Sequence, residues 1–174
     1  GNSRFCANLK ANRNLLQQVN ETRDGQWPFA AVLSCIDSRT SVELIFDQGL
    51  GDVFSARIAG NFVNEDILGS LEFACAVAGA KLVVVLGHSG CGAIKGACDH
   101  VELGHLTQML AKIGPAVDCI ATNYAGDDHS SSNDEFVEAV AAENVKRAVS
   151  GIGNRSTVLR DLLDKGDIGI VGGM

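Results

Sequence analysis

Cys35, Asp37 and Arg39 alternate along "CIDSR", and His88 and Cys91 stand three residues apart in the glycine-rich "GHSGCG". Two thiolates and an imidazole are soft donors that select zinc over magnesium or calcium. Three such ligands leave one tetrahedral position open, as a catalytic ion requires. Asp37 or a further cysteine in that position would instead make the site closed and structural. An open zinc lowers the pKa of a bound water from about 15.7 toward about 7. Two thiolates cancel much of the ion's charge, so this centre needs help from its surroundings. In an extended segment alternate side chains point the same way. Asp37 can therefore accept a hydrogen bond from the activated water while Arg39 keeps the carboxylate ionised and fixed. The stretch "GHSGCGAIKG" is not a phosphate loop, because it lacks the Gly-Lys-Ser/Thr ending and Lys95 is misplaced for that role.

Residues so far apart in the chain meet only if the fold brings two strand ends together. The apolar run 28–35, preceded by Gly25 and Pro28, reads as a strand buried on both faces. Residues 52–60 form a weaker strand, 81–88 the clearest one, and "IGIVGG" a last one after Gly166. Between them the spacing predicts helices over 64–80, from Gly92, over 105–113, from Asn133 or Asp134, and from Ser156. Residues 122–134 read as an exposed loop, and 4–20 as one amphipathic helix with Phe5, Leu9, Leu16 and Val19 near one face. Alternating strands and helices imply an α/β fold: a mainly parallel central sheet of about four strands, covered by helices on both faces, in a single domain. Chemistry in such sheets gathers at the carboxyl ends of the strands. Cys35 and His88 both sit at such ends.

The chain has 174 residues, is 46% apolar, and carries 21 acidic against 14 basic residues for a net charge of -7. That balance, with no basic block, excludes nucleic acid as a partner. The apolar run around Val83–Leu86 is far too short to cross a bilayer, so no membrane partner is expected. Six cysteines are too few and too scattered for a disulfide scaffold. Cys75 reads as a small residue on a helix face. Cys6, Cys98 and Cys119 read as passive thiols, and His100, His105 and His129 as solvated or locally bonded.

"CIDSR" followed by "GHSGCG" resembles the beta class of carbonic anhydrases, and "GNSRF", "GDVFSARIAGN" and "VGGM" extend the likeness over nearly the whole chain. The resemblance implies one zinc ion per chain on Cys35, His88 and Cys91, with Asp37 and Arg39 as the catalytic dyad. It implies that Gln26 and the Gly92 backbone N–H bind substrate, and that Phe54, Ala59 and Phe73 line an apolar CO2 pocket. The reaction implied is reversible hydration of CO2 to bicarbonate and a proton by a zinc-activated hydroxide. Hydrolysis of carbonyl sulfide or carbon disulfide, and a non-catalytic zinc-stabilised domain, are the alternatives. Asp37 moving onto the metal would close the site. Position 73 is Phe where some members have Tyr, and Val32 replaces the Trp of members with a regulatory bicarbonate site, so that regulation is not expected. Arg57 matches a family arginine whose role here reads as structural. The resemblance further implies a homodimer or dimer of dimers, with the N-terminal helix packing on a neighbour. It also implies a native chain longer at both ends; no targeting segment is legible, which leaves cytoplasm and periplasm equally open.

Overall fold

A computed structural model describes residues 1–174. Four parallel strands, β1 (Ala30–Ser34), β2 (Val53–Arg57), β3 (Leu82–Leu86) and β4 (Gly169–Gly173), form one sheet in the order β2-β1-β3-β4. β1 and β3 are central neighbours in register, Ala31 beside Val83 and Leu33 beside Val85. Every residue of β1 is buried, Ser34 included, as suits a central strand of a parallel sheet.

One face of the sheet carries Ala31, Leu33, Val83 and Val85. It packs against α4 (Glu65–Glu72), α8 (Asp134–Arg155) and α9 (Thr157–Asp164) through Leu68, Leu71, Val145, Ile152 and Leu159. Gly172 lets α8 approach that face closely, since a Cβ there would meet Val145 Cγ1 at 2.6 Å. On the other face Ala30, Val32 and Ser34 of β1 are buried, while Ser55, Arg57 and Val171 are exposed and Leu82, Val84 and Leu86 half buried.

A second core gathers beyond the carboxyl ends of the strands, from Cys35, Phe62, Cys91 and residues of α5 (Gly92–Cys98) and α7 (Gly114–Asn123). α8 closes this core too, through Phe136, Val137, Val140 and Ala141. One long helix thus spans both cores. Its start follows the sequence, with Asn133 Oδ1 accepting the Phe136 N–H at 3.2 Å.

The N-terminal stretch is not the single helix expected over 4–20. It forms α1 (Asn2–Cys6) and α2 (Leu15–Glu21), separated by irregular chain with Asn8 at φ 54°. The cause is tertiary. Asp47, 6% exposed, accepts hydrogen bonds from the side chains of Arg4 and Arg13 and from the Ala11 N–H at 3.0 Å. Those bonds stabilise a wrapped path over the straight helix that propensity favours. The helix expected over 64–80 continues past α4 into a wider π-type turn, Phe73–Val77, and ends before Gly79 at φ 83°. Two helices escaped the sequence reading: α3 (Val42–Ile45), which is one turn long, and α7, whose Gly114-Pro115 start reads as a breaker although proline suits the first helical turn. α6 (Gly104–Leu110) lies where the "HLTQMLAKI" helix was expected.

Candidate metal centre

Cys35 follows directly after β1, and His88 and Cys91 lie on the turn after β3. Because β1 and β3 pair directly, both loops open at the same end of the sheet. One donor atom each from Cys35, His88 and Cys91 all lie within 4.8 Å of one another, and the two Sγ atoms are 3.8 Å apart. Both thiols are buried. His88 Nδ1 lies 3.0 Å from the Ser89 carbonyl oxygen, which only an N–H can satisfy, so the proton belongs on Nδ1. Nε2 then carries a free lone pair, and it is buried with no hydrogen-bond partner. A buried orphan acceptor beside two convergent thiols fits a tetrahedral soft-metal site.

The thiols do not titrate independently. Hydrogen bonding with Cys91, and then with the Gly60 N–H at 3.4 Å, lowers the Cys35 thiol, whereas the same pairing and burial raise Cys91. The pair loses one proton readily and holds the second. A cation at the cluster favours release of both.

Asp37 faces Arg39 rather than the donor cluster. Its Oδ1 accepts from the Arg39 backbone N–H at 2.9 Å and from Nε at 3.0 Å, and its Oδ2 from a terminal guanidinium nitrogen at 2.8 Å. The guanidinium, then the backbone N–H, holds this carboxyl well below the usual carboxylate range. The segment itself is clamped by Arg57, which donates to the Cys35 carbonyl at 2.9 Å and the Asp37 carbonyl at 2.6 Å. Thr40 adds its backbone N–H and hydroxyl to the same Asp37 carbonyl.

Ala59 and Gly92 lie beside the cluster, Ala59 next to the Gly60 N–H that reaches Cys35, and Gly92 next to Cys91 as the first residue of α5. At that position the Gly92 N–H has no partner within the helix, and a Cβ there would meet nothing within 4 Å. Phe54 and Phe73 lie elsewhere. Phe54 registers with Ala31, four residues before Cys35 and so ~13 Å away along the strand. Its ring meets Phe73 edge-on, centroids 6.2 Å apart, and both line an open cavity of about 670 Å³ to which none of the cluster residues contributes. Gln26 is exposed and makes no hydrogen bond within the chain.

Sequence reading singled out the donor residues but not what orients them: Gly60, Asn144, whose Nδ2 donates to the Gly60 carbonyl at 2.7 Å, and Glu138, which accepts the Gly90 N–H at 2.9 Å. Asn144 alone left a trace, as an amide among the buried apolar positions of α8. His129, expected to be solvated or locally bonded, is half buried, and its buried Nε2 has no hydrogen-bond partner. It stacks on Phe136 with centroids 5.0 Å apart. Burial pushes the Cys98 thiol up to about 11, as suits a passive residue.

A family model described as carbonic anhydrase matches residues 30–174. A carbonic anhydrase of Mycolicibacterium smegmatis is 36% identical, over 99% of this chain and 82% of that protein. Carbonic anhydrase 2 of Mycobacterium tuberculosis is 33% identical over the same shares. Among solved structures, the beta-carbonic anhydrase CafA of Aspergillus fumigatus superposes with a TM-score of 0.77 at 27% identity, covering 90% of this chain and 74% of that one. A beta-carbonic anhydrase of Sordaria macrospora, described as tetrameric, gives 0.78 at 24% identity over 90% and 83% of the two chains.

Proposed function

Since the chain belongs to the carbonic anhydrase family, and to its beta class, we propose that it hydrates CO2 reversibly on a zinc ion held by Cys35, His88 and Cys91. The observation that carries this reading is the convergence of two buried thiols and the imidazole of His88, whose buried Nε2 has no hydrogen-bond partner. When bound by these residues, a zinc ion would supply a Lewis acid able to make water nucleophilic near neutral pH. Asp37, kept ionised by Arg39, would offer an acceptor to a water activated there. Arg57 and Thr40 hold the Asp37 main chain while this happens. The Gly92 N–H and Gln26 serve as polar anchors for bicarbonate, while Ala59, Phe54 and Phe73 offer apolar surface to CO2. The proton released passes to buffer.

Within one chain Phe54 and Phe73 line a cavity apart from the cluster, and the N-terminal segment exposes Phe5, Leu9, Leu15, Leu16 and Val19. A half-covered sheet face and these exposed side chains support a homodimer or dimer of dimers in which a second copy brings the apolar residues up to the cluster. Light scattering coupled to size exclusion tests this, and a monomer at micromolar concentration argues against it.

The catalytic reading is tested by stopped-flow CO2 hydration on protein with measured zinc content, run beside carbonyl sulfide and carbon disulfide. Full zinc occupancy with a rate no better than buffer sinks it. Faster turnover of the sulfur compounds reassigns the substrate on the same centre.

A further inference from the structure

Two side chains of α8 hold the two halves of the donor cluster, and neither touches a donor atom directly. Asn144, 4% exposed, donates from Nδ2 to the Gly60 carbonyl at 2.7 Å, and the N–H of that glycine donates to Cys35 Sγ at 3.4 Å. Six residues earlier Glu138 Oε1 accepts the Gly90 N–H at 2.9 Å, inside the turn that carries His88 and Cys91. Both glycines sit at positive φ, Gly60 at 78° and Gly90 at 60°. Glycine has the widest choice of backbone conformations, so these segments keep one orientation only if something outside them is fixed. α8 is such a fixed body, seated in both cores by Phe136, Val140 and Ile152, each 0% exposed.

We propose that Asn144 and Glu138 are positioning residues for metal binding: α8 sets where Cys35 Sγ lies relative to His88 and Cys91 by tying down Gly60 on one side and Gly90 on the other. The assignment rests on the zinc reading. Without Asn144 the Gly60 carbonyl loses its buried donor, and the glycine that presents its N–H to the Cys35 sulfur is held less firmly on that side. Without Glu138 the turn between the two other donors loses the side-chain bond that ties it to α8. Groups that orient metal ligands in this indirect way typically change metal affinity by 10–100-fold when removed.

The test compares Asn144→Ala, Glu138→Ala and Glu138→Gln with the parent protein. Zinc affinity is measured by competition with a chromophoric chelator, and cobalt-loaded protein reports the thiolate-to-metal absorption. Both alanine variants are expected to bind zinc about 10–100-fold more weakly and to shift or weaken that absorption. Glu138→Gln keeps an acceptor oxygen and is expected to stay near the parent in both readouts. A purely structural role lowers the melting temperature and leaves the cobalt spectrum alone; that result, or identical behaviour of the Ala and Gln variants at 138, overturns the assignment. If Asn144→Ala does not fold, the Glu138 pair decides. A parent protein that takes up no zinc overturns the metal reading itself, whereas tight binding by parent and variants alike overturns only the positioning role.

Discussion

Replacing Gly60 by alanine tests the fold and the site together. Gly60 lies in the segment after β2 at φ 78°, with its N–H on Cys35 and its carbonyl under Asn144. An L-residue held in a left-handed conformation costs roughly 1–2 kcal/mol. The new methyl would also meet Ile113 Cδ1 at 2.5 Å and Ala93 Cβ at 3.3 Å, and Ile113 is 0% exposed, so its tip has nowhere to retreat. Overpacking of this kind costs about 1–3 kcal/mol. The two effects sum to about 2–5 kcal/mol, and a domain of this size loses about 2–4 °C per kcal/mol, so the melting temperature should fall by roughly 4–20 °C. Gly153→Ala is the control. It lies inside α8 with only Leu163 Cδ2 at 4.0 Å, and should gain about 0.5–1 kcal/mol from helix propensity. Differential scanning calorimetry of both, without metal, separates the cases. A drop below about 3 °C for Gly60→Ala, or a change no different from that of Gly153→Ala, would mean that the segment relaxes freely and the strain reasoning is wrong.

Cys91→Ser should abolish the thermal stabilisation that zinc confers on the parent, which is about 2.7 kcal/mol when free zinc is 100 times the dissociation constant; an unchanged zinc-dependent shift by scanning fluorimetry removes Cys91 from the ligand set. Asp37→Asn should reduce kcat/KM by about 10–100-fold while one zinc per chain is retained, because its carboxylate lies on Arg39 and outside the donor cluster. Loss of zinc from that variant, measured by atomic absorption, would instead make Asp37 a ligand. Asp47, held well below the usual carboxylate range by Arg4 and then Arg13, contributes stability that is present above the ordinary carboxyl pKa of about 3.9 and is lost as pH falls through its lower folded value. The N-terminal segment should therefore stay latched at pH 4–5, whereas Asp47→Asn releases it at neutral pH, seen as faster tryptic cleavage at Lys10 and Arg13. Equal cleavage rates in parent and variant refute the latch.

Local chemistry was readable in the sequence because it depends on residue type and short spacing. Cys35, Asp37 and Arg39 two residues apart, and His88 and Cys91 three apart, state which donors a strand end and a tight turn offer, whatever surrounds them. Strands β1 and β3 were equally legible, since a continuous apolar run bounded by glycine or proline has few other stable outcomes. The N-terminal helix was misread for the opposite reason. Its periodicity is local, but Asp47, 34 to 43 residues away, competes for Arg4, Ala11 and Arg13 and prevails. The same holds at the site. Asn144 and Glu138 reach Gly60 and Gly90 over separations of 84 and 48 residues, and Arg57 reaches Cys35 over 22. No spacing rule records such contacts, because they exist only after β1 and β3 pair and α8 packs across both cores. The sequence by itself determined which atoms are available to bind a metal. Only the tertiary structure decided that two thiols and a bare imidazole nitrogen converge within 4.8 Å, that Phe54 and Phe73 lie apart from them, and that Asp37 turns toward Arg39.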